Sequence, residues 1–293
     1  MINDQEWVIS PNTLLVLRYR IIELERYWSD SILSAQTDDS TVQRDQDGAI
    51  YRARDVSIAS EERFVHVLER KTSLDPTKRA DILRKCQREA DLLFSLHHPS
   101  IPNFLDYFTP EDRAYIITDY IEGTDLQARA NSVMFSNAHE TDIIRWIIKL
   151  CDAIGYLHEQ DPPLLFRSLE AQKVVVDDTG NLCLTDLSSV SIYQESFRGT
   201  KTGVHGFAAP EQYRGEHLRQ SDIYSIGAVF HFLLTAHASH QSGLNHPAIQ
   251  GGSDSPPHIR EVLERIAYKA SAFNPELRYQ TVREMQEDLE ALV

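Results

Sequence analysis

The polar side chains most able to take part in chemistry lie in two short strings, on either side of a predicted β-hairpin. The first string holds Ser168, Glu170 and Lys173, and the second holds Asp186. A serine hydroxyl does not accept a proton at neutral pH, so it is a poor general base. A single carboxylate is a poor Mg²⁺ site unless phosphates share the ion. Ser168 therefore does not supply a general base, and Asp186 alone makes a poor metal site.

The cysteines and histidines show no metal-binding pattern. The three cysteines, Cys86, Cys151 and Cys183, sit in apolar-periodic stretches and form no C-x-x-C pair. The twelve histidines include an irregularly spaced group over 231–246 that lacks a zinc signature. We expect three buried thiols and neither a disulfide nor a zinc site.

The composition is that of a globular protein with a strong acidic bias. Of 293 residues, 42% are apolar, and 44 acidic residues against 29 basic ones give a net charge of −15. Phosphate binding needs a concentrated basic face, so neither nucleic acid nor an anionic membrane surface is an expected partner. The acidic N-terminus does not fit a signal peptide, and the longest apolar stretch, near 226–236, falls well short of the ~20 residues that span a bilayer. A cytoplasmic location without membrane insertion is expected, and the oligomeric state is left open.

The hydrophobic pattern changes near residue 120, which predicts an α+β unit over 1–120 and an α-rich unit over 121–293. Residues 29–47 are rich in Ser, Thr, Gln and Asp and are predicted to form an extra loop, with a brief strand at 32–35. The other predicted strands are 14–24, 48–55, 63–68, 104–108, 114–120, 173–176 and 182–184, and the predicted helices are 77–96, 140–158, 222–234, 257–272 and 281–292.

The order of these elements, together with four local strings, resembles the protein kinase family and in particular the bacterial Ser/Thr kinases. LFRSLEAQK at 165–173 is similar to a kinase catalytic loop, and LTDLS at 184–188 to the metal-binding segment. GFAAPEQY at 206–213 is similar to the end of an activation segment, and QSDIYSIG at 220–227 to the start of the buried large-lobe helix. The resemblance runs from about residue 13 to the C-terminus. It implies a two-lobed α+β fold, with a small β-rich lobe that carries one main helix and a large α-rich lobe.

The same resemblance implies that the catalytic loop has lost its reactive groups. The family's general base Asp falls on Ser168, the Lys two positions later falls on Glu170, and the metal-binding Asn falls on Lys173. Glu170 reverses the charge that would face the transferring phosphate, and Lys173 places a cation where a second Mg²⁺ would be held. Only Asp186 keeps the identity of a metal ligand.

The phosphate-binding part of the small lobe is altered as well. The Lys that holds the phosphates in the family falls on His66, and neutral imidazole does not replace a fixed ammonium. The usual partner of that Lys falls on Glu89, and Thr118 corresponds to the back of a nucleotide pocket. The segment 26–47 contains no glycine to approach a phosphate, and Gly48 stands only at its far end.

The framework residues of the family are retained. Glu211 and Arg278 correspond to its buried ion pair, and Asp222 to the residue that holds the backbone of the catalytic loop. Arg167 corresponds to an arginine that pairs with a phosphorylated activation segment, whereas the Thr that contacts the catalytic Asp falls on Val204. These changes spare the fold and disable the reaction.

The sequence therefore predicts a pseudokinase that acts as a protein-binding scaffold or regulator in signalling, with a partner such as an active kinase or another signalling protein. No competent catalytic residue and no cofactor are expected. One alternative is a divergent kinase that uses ATP and Mg²⁺, with His66 or Lys173 holding phosphate and Asp186 holding the metal. Another is a switch that binds ATP through Asp186 and Lys173, with Thr118 at the back of the pocket, and does not cleave it.

Overall fold

The computed structural model describes residues 9, 11–28, 48–57, 63–71, 76–110, 113–132, 140–185, 187, 189–193, 204–235 and 257–293. The described residues form two compact units. One contains those up to 97 together with 102–120, and the other contains 98–101 and those from 121 onward. The first is rich in strands and the second in helices, so the predicted α+β fold class is confirmed.

The β-rich unit consists of one antiparallel six-stranded sheet and one long helix. The strand order in the sheet is β1-β2-β3-β4-β6-β5. The elements are β1 (Leu14–Leu15), β2 (Tyr19–Trp28), β3 (Gly48–Asp55), β4 (Arg63–Lys71), α1 (Pro76–Ser95), β5 (Phe104–Phe108) and β6 (Arg113–Asp119).

The two faces of this sheet have different roles, because successive residues of a strand point to opposite faces. One face forms the hydrophobic core of the unit, built from Ile9, Tyr19, Ile21, Ala49, Tyr51, Ala53, Val65, Val67, Tyr115 and Ile117. The other face carries His66 of β4 and Thr118 of β6, which lie opposite each other in the strand register. The sheet thereby fixes the two small-lobe positions that the sequence singled out.

The prediction of one continuous strand over 14–24 is wrong. The chain turns after β1 and pairs back on itself, with Leu14 opposite Arg20 and Leu15 opposite Tyr19. The turn places Val16 at φ 44° and Leu17 at φ 61°, in the left-handed region that usually requires Gly or Asn. Because apolar residues occupy these positions, the sequence carries no turn signal.

The described part of the α-rich unit contains five α-helices, of which the first is short. Its helices are α2 (Leu126–Asn131), α3 (Glu140–His158), α4 (Arg219–Thr235), α5 (Pro257–Ala270) and α6 (Val282–Glu290), with 3₁₀ turns at Ala171–Lys173, Gln212–Arg214 and Pro275–Leu277. Its short strands are β7 (Thr124–Asp125), β8 (Leu164–Leu165), β9 (Val174–Val176), β10 (Leu182–Leu184) and β11 (Ser191–Ile192).

Helix α3 packs against α4 and α6, and α4 packs against α5. Helix α4 begins at Arg219 rather than at the predicted residue 222. The hydroxyl of Ser221, the third helical residue, accepts a hydrogen bond from the backbone N–H of Leu218 and stabilises this earlier start, as in a capping box. The predicted strand 173–176 likewise begins only at Val174, since Lys173 belongs to a 3₁₀ turn. The predicted hairpin between β9 and β10 is confirmed, with Val176 opposite Leu182.

Several sequence predictions concern minor features. The three cysteines are buried thiols. The loop predicted over 29–47 and the brief strand at 32–35 lie outside the described residues. Within the described part of the chain, no helix has the length and apolar character needed to cross a membrane.

Candidate functional site

The backbone of the segment that resembles a catalytic loop is hydrogen-bonded to Asp222, in the first turn of α4. The carboxylate of Asp222 accepts hydrogen bonds of 2.8 Å from the backbone N–H groups of both Phe166 and Arg167. It also lies 2.9 Å from Nε2 of His158, at the end of α3. Arg167 has a φ of 71°, a strained conformation for a residue other than glycine. The bonds to Asp222 and a further bond from the side chain of Gln212 to the Arg167 carbonyl hold it there.

A chain of hydrogen bonds occupies the centre of this segment. Lys173 Nζ lies 2.6 Å from Ser168 Oγ, and the hydroxyls of Ser168 and Ser189 are in direct contact. Ser189 Oγ in turn donates to the carbonyl of Phe166 at 2.9 Å. All three polar side chains are buried, with Ser168 and Ser189 each 4% exposed and Lys173 6% exposed.

The donors in this series of hydrogen bonds can be assigned, because a hydroxyl has one proton to donate and a lysine ammonium group can only donate. Ser189 uses its proton on the Phe166 carbonyl, so Ser168 must donate to Ser189. Ser168 then accepts from Lys173. The hydrogen bonds therefore run in one direction from Lys173 through both serines to the backbone, and Ser168 is not placed to take up a proton.

The other charged side chains of the loop are those of Glu170 and Arg167. Glu170 is partly exposed and directly precedes the 3₁₀ turn, where its carbonyl accepts a 3.1 Å hydrogen bond from the backbone N–H of Lys173. The guanidinium of Arg167 lies 3.3 Å from Ser191 Oγ and 3.2 Å from Nε2 of His217. Arginine is the donor in both contacts, so Nε2 of His217 is the acceptor in the second.

The metal ligands implied by the resemblance are only partly described. Asp186 lies outside the described residues. Among the residues that are described, no three His, Cys, Asp or Glu side chains come together as a metal site. At the position of the second implied ligand the chain has the Lys173 side chain, a donor that does not bind a cation.

In the β-rich unit, His66 and Thr118 are both 4% exposed. The imidazole of His66 packs edge-on against the ring of Tyr120, with 4.8 Å between ring centroids. Thr118 Oγ1 lies 3.4 Å from the carbonyl of Asp119. Glu89 lies in α1, but its side chain falls outside the described part of the chain.

The ion pair implied for the large lobe is present and buried. Arg278 lies 2.7 Å and 2.9 Å from the two carboxylate oxygens of Glu211, and the exposed fractions are 2% for Arg278 and 1% for Glu211. Burial alone would raise the pKa of Glu211, but hydrogen bonds from Arg278 and from Ser221 outweigh it and hold that pKa below its usual value. Val204 accepts backbone hydrogen bonds from Phe207 and Ala208 and offers no side-chain hydroxyl.

Sequence reasoning did not identify Ser189 as a hydrogen-bond partner of Ser168. It comes next to Ser168 because β8 and β11 pair antiparallel, with Leu165 opposite Ser191. No local spacing in the sequence signals this contact, since the two serines are 21 positions apart. The only signal was indirect: a serine in place of the base needs a new hydrogen-bond partner if it is buried.

Comparisons with known proteins agree with this geometry. Residues 49–289 match the family model described as the protein kinase domain. The chain is 28% identical to the serine/threonine-protein kinase PrkC of Bacillus subtilis over 258 residues, which cover 82% of this chain and 38% of PrkC. It is 29% identical to the probable serine/threonine-protein kinase PknB of Lactococcus lactis over 223 residues, or 71% of this chain and 34% of that protein. It is 26% identical to PknB of Mycobacterium leprae over 268 residues, covering 82% and 40%.

The chain thus spans about two fifths or less of these relatives. The matched region nevertheless includes the sheet from β3 onward, the loop that carries Ser168 and Lys173, and the Glu211–Arg278 ion pair. A loop held by Asp222, a buried ion pair and a family match over most of the sequence all lead to one assignment, and the chain belongs to the protein kinase family.

Proposed function

We propose that this chain is a pseudokinase: a protein-kinase domain without competent phosphoryl transfer that acts by binding a signalling protein. The observation that carries the proposal is the hydrogen-bond chain from Lys173 through Ser168 and Ser189 to the Phe166 carbonyl. Ser168 at the position of the base and Lys173 at the position of one metal ligand are hydrogen-bonded to each other.

Phosphoryl transfer requires a group that orients or deprotonates the acceptor hydroxyl, and metal ions that neutralise the developing charge. Ser168 has its proton committed to Ser189 and its oxygen committed to Lys173. The loss of a general base lowers a rate by about 10²- to 10⁴-fold. Recruiting Ser168 as a base would first require breaking buried hydrogen bonds.

The charges around the loop support the same conclusion. Lys173 is buried next to the Ser168 hydroxyl, and a lysine ammonium group repels a divalent cation instead of binding it. Glu170 adds a carboxylate to the loop at a position where the family has a cation that faces the phosphate. In the β-rich unit, His66 is buried against Tyr120 and provides no fixed ammonium.

Retention of the framework supports a role that depends on the folded domain. The Glu211–Arg278 ion pair stabilises the fold, and Asp222 stabilises the loop backbone. Neither role requires ATP. A domain that keeps its framework while its reactive positions diverge fits a binding role better than a catalytic one. We propose that the partner is another signalling protein, and an active Ser/Thr kinase is the first to test because the relatives are named as such kinases.

The loss of catalysis is tested by incubating the purified chain with radiolabelled ATP, Mg²⁺ or Mn²⁺, and a general protein substrate. We expect no incorporation into the substrate or the chain, while the kinase region of PrkC, assayed in parallel, transfers label. Incorporation that disappears in an Asp186→Ala variant would overturn the proposal in favour of a divergent kinase.

The binding role is tested by titrating the chain into an assay of an active bacterial Ser/Thr kinase. We expect a saturable change in the rate of that kinase. The control is an unrelated protein of similar negative charge, because a net charge of −15 alone can perturb a charged substrate. An equal effect of the control protein would count against a specific interaction.

A further inference from the structure

The hydrophobic core of the β-rich unit encloses a carboxylate. Glu69 of β4 is 0% exposed and lies opposite Ala49 of β3 and Tyr115 of β6 in the strand register. Ala49 and Tyr115 both belong to the core cluster, so Glu69 shares the core face of the sheet with them. A charged side chain at such a position costs free energy unless it is paired and hydrogen-bonded, whereas an apolar one would not. Its partners must therefore explain why it is there.

Two partners stabilise this carboxylate. Arg113 of β6 pairs with Oε1, and the hydroxyl of Tyr51 on β3 donates to Oε2 at 2.8 Å. Burial raises the pKa of Tyr51, so the hydroxyl keeps the proton that it donates. Because a hydroxyl has only one proton, the Tyr51 oxygen can act only as an acceptor toward other groups. Glu69 thus fixes the direction of the Tyr51 hydroxyl.

The Tyr51 oxygen accepts a hydrogen bond from the N-terminal part of the chain. The backbone nitrogen of Ile9 lies 3.2 Å from it, and Ile9 is 9% exposed and a member of the same core cluster. Backbone pairing with β2 is present at Asn12 and Thr13, each of which is hydrogen-bonded to Ile21, at 2.8 Å and 2.9 Å. Ile9 lies three residues before this pairing, and its N–H bonds to a side chain instead.

Stability alone is a poor explanation for Glu69. Replacing a buried ion pair by apolar side chains of similar volume is often neutral or stabilising. What an apolar residue at this position could not do is orient the Tyr51 hydroxyl toward Ile9. A segment held by such a side-chain contact can open locally at a lower free energy than unfolding of the sheet requires. The arrangement therefore fits a contact that is specific and separately released.

We propose that Tyr51, oriented by Glu69 and Arg113, is a latch that holds Ile9 on the core face and opens without unfolding of the sheet. An open latch uncovers the part of the core cluster that Ile9 covers. Glu69 is a positioning residue, because it reaches Ile9 only through Tyr51. The inference concerns the covering of the β-rich unit and is independent of the proposed loss of phosphoryl transfer.

Opening of the latch is measured by the rate at which a thiol at position 9 reacts with a maleimide under native conditions. Ile9→Cys supplies this thiol, and a free cysteine behaves as a small apolar side chain. The natural Cys86 of α1, which is 0% exposed in the same unit, reports opening of the unit itself. Mass spectrometry of peptides distinguishes the labelled positions. We expect position 9 to be labelled much faster than Cys86.

Two further changes, each added to Ile9→Cys, test the hydrogen bonds. Tyr51→Phe removes the hydroxyl and keeps the ring, and we expect labelling at position 9 to become about tenfold faster, as the loss of one hydrogen bond predicts. The matched control is Tyr19→Phe. Tyr19 is also 0% exposed in the core cluster and also donates to a carboxylate, that of Asp106 at 2.9 Å, so its removal should leave the rate at position 9 unchanged.

A double variant separates the positioning role of Glu69 from a structural one. Glu69→Met combined with Arg113→Met, again added to Ile9→Cys, removes both charges together, so no buried charge is left unpaired. We expect the urea midpoint to be equal to or above that of Ile9→Cys alone. Labelling at position 9 should nevertheless become faster, by less than in Tyr51→Phe, because the hydroxyl remains but is no longer oriented. A thermal melt establishes that each variant is folded.

Three results would overturn the latch. Labelling of position 9 no faster than that of Cys86 would mean that Ile9 is released only when the whole unit opens. Absence of acceleration in Tyr51→Phe, or an equal acceleration in Tyr19→Phe, would remove the specific role of the Tyr51 hydroxyl. An unchanged rate at position 9 in the double variant would remove the role of Glu69. None of these measurements uses ATP or a partner, so the latch and the proposed function are tested separately.

Discussion

Lys173 and Ser168, which are five positions apart in the chain, face each other across the 3₁₀ turn Ala171–Lys173, with 2.6 Å between Nζ and Oγ. Each occupies a position where the kinase family has a different residue. The two substitutions are complementary. Lys173 donates a hydrogen bond to Ser168 at the two positions where the family has a metal-binding Asn and the general base Asp. Together with Ser189, the pair forms a continuous series of buried hydrogen bonds that ends at the Phe166 carbonyl.

The contribution of these hydrogen bonds to the stability of the protein can be measured by substituting Ser189. In Ser189→Ala the Ser168 hydroxyl and the Phe166 carbonyl both lose a buried partner, and an unsatisfied buried group costs about 1–3 kcal/mol. We expect a loss of that size in the free energy of unfolding, measured by urea denaturation. Ser95→Ala is the control, because the Ser95 hydroxyl also donates to a backbone carbonyl but is exposed.

We expect Ser95→Ala to change the unfolding free energy by less than about 0.5 kcal/mol. If Ser189→Ala behaves like Ser95→Ala, the chain of hydrogen bonds is not a stabilising feature of the loop. A restored binding of Mg²⁺ in Ser189→Ala would contradict the assignment of Lys173 as the group that excludes the metal.

The Glu211–Arg278 ion pair should be among the costliest contacts to break. Arg278→Met leaves the buried carboxylate of Glu211 without its cation, and breaking a buried pair on one side costs about 3–5 kcal/mol. Arg278 also donates to the backbone carbonyls of Ala272, Phe273 and Gln220, so further partners are lost. The measurement is the urea midpoint of Arg278→Met against the natural chain.

An exposed pair in the same unit is the matched control. Arg283 and Glu287 lie 3.0 Å apart on α6, with side chains 61% and 60% exposed. We expect Arg283→Met to cost at most about 0.5 kcal/mol, as helix-surface pairs do. Similar losses in Arg278→Met and Arg283→Met would mean that burial does not set the value of the Glu211–Arg278 pair.

Much of the fold could be predicted from the sequence where periodicity and flanking polar residues agree. The strands Gly48–Asp55 and Phe104–Phe108 and the helix Glu140–His158 begin and end where the pattern places them. The β1–β2 hairpin could not be predicted, because Val16 and Leu17 take left-handed conformations that their side chains disfavour. Tertiary packing overrides local preference at that turn.

The candidate site could likewise be predicted only in part. The resemblance located Ser168, Lys173 and Asp222 because they lie in strings with recognisable neighbours. The contact with Ser189 could not be predicted, since it depends on β8–β11 pairing and on side-chain direction. The cation–π contact between Arg52 of β3 and Phe64 of β4, with 5.6 Å from the guanidinium carbon to the ring centroid, could not be predicted for a related reason. Cross-strand partners are set by register, which a single sequence does not specify.

The pH dependence of stability in the β-rich unit should show a contribution from Asp55. Burial alone would raise the pKa of this carboxyl, but hydrogen bonds from Arg18 and Ser57 outweigh that effect and lower it from 3.8 to about 2. A lowered pKa in the folded state stabilises the fold above the unfolded value, and the benefit is lost as the pH falls from about 4 to about 2. Asp55→Asn removes this contribution at every pH.

The measurement is the unfolding free energy of both proteins between pH 5 and pH 2. Other carboxyls destabilise both proteins alike, so the quantity of interest is the difference between them. We expect the natural chain to be more stable than Asp55→Asn at pH 5, and this advantage to shrink toward pH 2. A difference that stays constant over this range would show that the charge of Asp55 does not contribute.

Two glycines inside helices should respond in opposite directions to the same substitution. A Cβ on Gly227 of α4 would lie 2.7 Å from the Cβ of Ala270 and 2.9 Å from the backbone nitrogen of Ser271. Since α4 and α5 are packed at that point, Gly227→Ala must push them apart, and overpacking of this kind costs about 1–3 kcal/mol. Thermal and urea denaturation of the variant measure the loss.

Gly155 of α3 provides the control, because a Cβ there meets no other atom within 4 Å. In a helix interior alanine is favoured over glycine by about 0.5–1 kcal/mol, so Gly155→Ala should raise stability by up to that amount. The two variants make the same chemical change in helices of the same unit and differ only in the space available. If Gly227→Ala were also stabilising, α4 and α5 would have to be separated further than the close approach at Ala270 indicates.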